Sequence, residues 1–126
     1  MPHVVEHSSV PPFHLPGIEH RTLAGAAQGL AALEVWQQTL APGASTPPHS
    51  HDCDEVVVLL DGEAEVVEGN VVRRAHAPAT VVLHAGPVHR IANVGTRPLA
   101  MIAAFAASPA RARDAAGVTL ALPWEA

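Results

Sequence analysis

The chain has no lysine and no tyrosine, and both absences narrow the chemistry. Without lysine there is no amine for Schiff-base catalysis, and without tyrosine no phenol to serve as acid, base or oxyanion donor. Proton transfer is left to His, Asp, Glu and a single thiol, Cys53. One cysteine cannot form an internal disulfide, which agrees with a reducing compartment. Lys+Arg total only 7 in a chain of formal net charge -5, so the basic stripe of a nucleic-acid binder is missing. The longest apolar runs, such as Leu99 to Phe105, fall far short of the roughly 20 residues of a membrane span. Residues 1–19 show neither a basic opening followed by an apolar stretch nor an Arg-rich amphipathic pattern, so a cytoplasmic location is expected.

What is present suits one small β domain. The 126 residues are 48% hydrophobic and 15% charged, with 12 Pro and 9 Gly spread along the chain, a mixture that fits short strands joined by turns. Residues 1–20, with Pro2, Pro11, Pro12 and Pro16, read as an extended N-terminal arm. Residues 21–107 read as the folded barrel. Leu33 to Leu40 is a strand closed by Ala41-Pro42-Gly43, and Val56 to Leu60 is a continuous apolar strand. Asp61-Gly62 reads as a hairpin turn leading into Glu63 to Val67. Four more short strands, Val71 to His76, Ala79 to His84, His89 to Val94 and Pro98 to Ala106, extend an antiparallel meander. Residues 108–126 read as a short helix and tail, with Ser108-Pro109 at its start, Ala110 to Ala116 as its body and Gly117 at its stop.

His49 and His51 are one residue apart, so on an extended segment both imidazoles project from the same face. Glu55 shares their parity and follows closely. A His-x-His-x3-Glu group in one short segment therefore offers three donors of kinds that suit a borderline divalent ion.

The longer frame is Gly43-x5-His49-x-His51-x3-Glu55-x6-Gly62, followed by Gly86-x2-His89-x3-Asn93. It resembles the two signature motifs of the cupin superfamily, in the small single-domain (cupin 2) type, over about Leu30 to Phe105. The first motif matches at every marked position; in the second, His84 stands for the usual Pro and Pro78 for a usual glycine. The resemblance implies an all-β, six-stranded, jelly-roll-like barrel, with metal ligands His49, His51 and Glu55 from the first motif and His89 from the second. It gives Asn93 and the glycines structural roles.

Three imidazoles and a carboxylate leave open positions on an octahedral ion, which is how a metal accepts a substrate oxygen or dioxygen. The expectation is a metal-dependent enzyme acting on a small organic molecule, a mononuclear dioxygenase or a metal-assisted isomerase, cyclase or lyase. Glu55 is its candidate base, and iron(II) is favoured over manganese, zinc, nickel, cobalt or copper. The alternative is a non-catalytic barrel that binds a small ligand or metal. Around these residues, Arg90 should face away from the metal by alternation and form a salt bridge. His76 and His84 read as loop or outward histidines, and Cys53 as a small packed residue on a bend. Trp36 and Gln38 share one strand face, with Trp36 read as core; Met101 and Phe105 read as core lining or pocket wall. An apolar outer sheet and a Pro-rich arm point to a homodimer.

Overall fold

The computed structural model describes residues 2–125, so Met1 and Ala126, the outer ends of the expected arm and tail, lie outside the described residues. The strands are β1 (Phe13–Leu15), β2 (Ile18–Ala24), β3 (Glu34–Leu40), β4 (His49–Ser50), β5 (Glu55–Asp61) and β6 (Glu63–Glu68). They continue with β7 (Val71–His76), β8 (Ala79–Leu83), β9 (His89–Asn93), β10 (Leu99–Phe105) and β11 (Arg113–Asp114). All pairs are antiparallel, in one sheet ordered β1-β2-β3-β10-β5-β8 and a second ordered β11-β4-β9-β6-β7. Among the described residues helix is confined to single 3-10 turns at His7–Ser9, Ala26–Gln28 and Pro123–Glu125, and no helix is long and apolar enough to cross a membrane.

The core is built by alternation. In β10, Leu99, Met101, Ala103 and Phe105 are buried while the residues between them are half-exposed. In β5, Glu55, Val57 and Leu59 point in and Val56, Val58 and Leu60 point out. The inward faces of the two sheets meet in the core, where Ala64, Val66 and Ile91 of the second sheet join Leu40, Leu59, Leu83, Leu99 and Phe105 of the first, these last five no more than 2% exposed. Each such side chain contributes roughly 1.5–3 kcal/mol through removal from water. This all-β sandwich is the architecture expected, with more strands than the six of the implied barrel core.

Three features differ from the sequence reading. Asp61-Gly62 is not a hairpin turn within a meander. β5 pairs with β8 and β10, whereas β6 pairs with β7 and β9, so the chain passes from one sheet to the other at this corner. Gly62 is needed there: its φ is 99, and a Cβ would lie 3.0 Å from both the Leu99 Cα and the Pro98 carbonyl oxygen. Second, residues 13–20 of the expected arm enter the first sheet, where Phe13 pairs with His20 and β2 runs along β3.

Third, the short C-terminal helix expected over 110–116 does not form. Ala110 and Ala112 are buried, at 0% and 2% exposure, while Arg111 and Arg113 between and after them are exposed, the period of an extended chain. The backbone groups of this segment are committed to distant partners and to a turn. The Ala110 N–H donates to Glu34, the Arg111 carbonyl accepts from His51, and the Ala112 carbonyl accepts from the Leu120 N–H at 2.8 Å. Gly117 closes a turn, its N–H donating to the Asp114 carbonyl at 2.9 Å, so helix propensity yields to tertiary hydrogen bonds. The segment that follows returns to pair with it through a single bridge between Arg113 and Thr119.

Candidate metal centre

β4 and β9 place His49 and His89 directly opposite one another. His51 follows β4, and Glu55 opens β5, across from Phe105 and Leu83. The pattern of two histidines at i and i+2 thus works through a very short strand rather than a long one. Ligand atoms of His49, His51 and His89 all lie within 4.8 Å of one another, a grouping that could hold a metal ion. The Glu55 Oε1 atom lies 3.5 Å from His51 Nε2 and 3.4 Å from His89 Nε2. His51, Glu55 and His89 are buried, at 2%, 6% and 3% exposure.

The hydrogen bonds around the cluster fix which nitrogens are free. His49 Nδ1–H donates to the Pro47 carbonyl at 2.7 Å, and His51 Nδ1–H donates to the Arg111 carbonyl at 2.7 Å. A carbonyl can only accept, so both protons sit on Nδ1 and both Nε2 lone pairs are left to a ligand. His51 Nε2 and Glu55 Oε1 are buried with no hydrogen-bond partner. Such orphaned atoms are costly unless something else satisfies them. The three imidazoles, two of them already oriented by backbone carbonyls, fit a divalent ion, and the Glu55 carboxylate stands beside two of them.

The four side chains line a cavity of about 60 Å³. Trp36, Val57, Ile91, Met101 and Ala103 form apolar walls, Gln38 adds one amide, and Leu120, Leu122 and Trp124 of the tail complete the lining. Among the described residues no arginine lines it. Trp36 therefore serves as both core and wall, and Met101 as wall, whereas Phe105 is core behind them. Cys53 packs at the core margin, outside the cavity, with burial above all raising its thiol pKa. His84 is exposed, and so is His76, whose Nε2 is 3.6 Å from Glu63. Arg90 points outward, 3.9 Å from Glu65.

The sequence reading did not single out His20, Glu34, or the tail residues Leu120, Leu122 and Trp124. The tail carries a legible signal, apolar residues at i, i+2 and i+4 in an extended pattern. His20 is fully buried, and its ring stacks on Trp124 with centroids 3.5 Å apart at 11°. Its Nδ1 accepts from the Gln38 amide at 2.9 Å, so its Nε2–H donates to the Thr22 hydroxyl at 2.8 Å.

Burial dominates the titration of these imidazoles. It lowers the His20 pKa to about 3 and the His49 pKa to about 4, and it lowers that of His51. Beside His49, the Pro47 carbonyl and the Glu55 carboxylate favour protonation, while His89 and His51 oppose it. A folded-state pKa below the unfolded value means that the unfolded chain takes up protons first. Stability is therefore complete above about pH 6.5 and falls as the pH drops toward the folded pKa, by roughly 1.4 kcal/mol per pH unit and group. For His20 alone, the metal-free protein is expected to lose about 2 kcal/mol between pH 7 and pH 5. Guanidinium unfolding at the two pH values checks this, with His20→Gln expected to reduce the difference by that amount.

Two facing antiparallel sheets around an inward histidine cluster define a cupin barrel. The model of the family described as auxin binding protein matches residues 2–92, and the chain belongs to that family. It is 32% identical over 104 residues to auxin-binding protein 1 of Arabidopsis thaliana, covering 75% of this chain and 52% of that protein. It is 48% identical over 48 residues to auxin-binding protein T85 of Nicotiana tabacum, covering 37% of this chain and 26% of that one. The chain thus spans about half the length of the Arabidopsis relative or less of the others. Among solved structures, the cupin 2 domain-containing protein from Halorhodospira halophila superimposes with a TM-score of 0.70 at 27% identity, over 78% of this chain and 70% of that one. The polyketide cyclase RemF from Streptomyces resistomycificus superimposes with a TM-score of 0.76 at 17% identity, over 91% and 86% of the two chains; that likeness is one of fold.

Proposed function

We propose that this protein binds one divalent metal ion through His49, His51, Glu55 and His89 and uses it to capture a small organic carboxylate. The observation that carries the reading is the histidine trio, with Glu55 beside two of its members, in the wall of a largely apolar cavity that no arginine among the described residues lines. A carboxylate entering such a site has the metal as its counter-charge, and the walls favour an apolar body behind the carboxylate. When bound, the ion supplies Lewis-acid charge to a ligand oxygen. The auxin-binding names of the relatives support a ligand of this kind. The donor set suits iron(II), manganese, zinc and other borderline ions alike.

The test is calorimetric titration of metal-reconstituted protein with aromatic and aliphatic carboxylates and their methyl esters. Acids are expected to bind at least 10-fold more tightly than their esters, and only with metal present. Equal binding of acid and ester, or binding that survives a chelator, would overturn the reading.

A second reading is turnover at the same site, as a dioxygenase or as an isomerase, cyclase or lyase. Glu55 favours it, being the one acidic side chain among the described residues that lines the cavity, and a carboxylate there could take a proton from a bound substrate. Oxygen uptake or product formation with the carboxylate panel, lost in Glu55→Gln, is the expected result if the site turns over.

The protein is further proposed to act as a homodimer through the outer face of its six-stranded sheet. Val56, Val58, Leu60 and Val82 are exposed there, at 38%, 37%, 55% and 58%, beside outward Ile102 and Ala104. The outward positions of β3, β10, β5 and β8 carry no charge. The outer face of the other sheet is laced with Glu63, Glu65, Arg74, His76 and Arg90. Only the first face resembles an interface, and a second copy offers a matching uncharged surface. Light scattering is expected to show a dimer, with Val58→Arg raising its dissociation constant at least 100-fold, a change of about 2.7 kcal/mol. A wild-type monomer at all concentrations would sink the assignment.

A further inference from the structure

Glu34 opens β3 and is 4% exposed, yet it does not line the cavity and the proposed metal site makes no use of it. Its carboxylate receives three hydrogen bonds. Trp36 Nε1–H donates to Oε2 at 2.6 Å, the Ala110 N–H donates to Oε2 at 3.1 Å, and the Ser108 hydroxyl donates to Oε1 at 2.7 Å. Two of the donors belong to the tail, 74 and 76 residues away in sequence. The residue after Ala110 is Arg111, whose carbonyl accepts the Nδ1–H of His51. Trp36, held by the same carboxylate, stands edge-on to His51 with ring centroids 6.1 Å apart.

We propose that Glu34 is a positioning residue for the metal centre: it clasps the 108–110 segment so that the Arg111 carbonyl holds His51 with its Nε2 lone pair aimed at the ion. Three features favour a clasp over a simple buried polar group. The carboxylate bridges two segments that share no strand pairing, β3 and the tail. The backbone at Gly25 leaves no slack around it, since a Cβ there would lie 2.7 Å from Glu34 Oε1 and 3.0 Å from the Ser108 hydroxyl. The clasp also acts where strand pairing has not yet begun: Ala110, the first buried residue of the tail, is tied to Glu34, whereas the pairing of β11 with β4 holds the chain only from Arg113 on. Hydrogen bonds that orient a metal-binding imidazole typically change metal affinity by about 10–100-fold when lost.

The clasp works by geometry, so the amide should preserve it. In Glu34→Gln the amide oxygen can still accept from Trp36 and Ala110, and the amide nitrogen can donate to the Ser108 oxygen. Glu34→Leu removes all three bonds. The inference rests on His51 being a metal ligand, and one of its two readouts does not depend on metal. In metal-free protein, two-bond proton–nitrogen correlations report the His51 tautomer. Wild type and Glu34→Gln are expected to hold the proton on Nδ1, while Glu34→Leu shows a mixture of both tautomers. Zinc(II) affinity, measured against a competing chelator, is expected to fall 10- to 100-fold in Glu34→Leu and to stay within about 3-fold in Glu34→Gln.

Gly25→Ala, which crowds Glu34 Oε1 and leaves the core intact, is expected to shift the tautomer as well, and it carries the test if Glu34→Leu does not fold. A His51 proton fixed on Nδ1 in both disrupted variants would overturn the proposal. So would a loss of affinity in Glu34→Gln as large as in Glu34→Leu, since charge and not position would then be acting. Wild type that fails to bind zinc while its His51 tautomer responds to Glu34→Leu would sink the metal reading and leave the clasp standing.

Discussion

His51→Ala is expected to lower metal affinity by about a thousandfold, more than the 10–100-fold of a lost orienting bond, because it removes a ligand outright. His51 is the ligand with the least freedom. Its ring is 2% exposed, its Nδ1–H is tied to Arg111, and its free Nε2 lies 3.5 Å from Glu55. The three groups left would bind an ion with one nitrogen fewer and with Glu55 tied to His89 alone, at 3.4 Å. The loss should be visible as stability. An ion present at 100 times its dissociation constant stabilises the folded state by about 2.7 kcal/mol, worth about 10 °C in a domain of this size. Wild type should therefore melt about 10 °C higher with saturating zinc, and His51→Ala should not respond at the same concentration. A variant that kept the full shift would show that the ion sits elsewhere.

The parts of this site that the sequence displays are those fixed by local spacing. His49, His51 and Glu55 lie within seven residues, and the alternation that orients them is a property of an extended backbone. His89 is legible only through its place in the longer frame, because the pairing of β4 with β9 that brings it opposite His49 is non-local. What the sequence does not display is carried by backbone atoms and by distant pairs. The carbonyl of Arg111 orients His51, and a carbonyl is the same in every residue, so no side chain announces it. The helix expected over 110–116 fails for the same reason. Its alanines favour helix locally, but a carboxylate from β3 and an imidazole beside β4 claim their backbone groups. The corner at Asp61-Gly62 has the composition of a hairpin, and only the assembly of two sheets makes it a crossing.

Phe105→Ala is expected to cost about 3–5 kcal/mol, the range for deleting a fully buried aromatic ring. Phe105 is 0% exposed, and on β10 it lies in register with Glu34 of β3 on one side and Glu55 of β5 on the other. Its ring centroid is 4.3 Å from that of Trp36 and 4.9 Å from that of His51. The surrounding strands are paired on both sides and cannot collapse onto the gap, so the cavity contribution should be near its full size. Ile102→Ala on the same strand, facing outward and half-exposed, should cost less than half as much in the monomer. Denaturant unfolding of both variants compares them directly. The metal affinity of folded Phe105→Ala is expected to fall less than 10-fold, because an edge-on aromatic contact is worth about 0.5–1.5 kcal/mol and the Nδ1–H bond to Arg111 still orients the imidazole. A drop of a hundredfold or more would mean that the Phe105 ring aims His51 and that the hydrogen bond from His51 to the tail follows the ring.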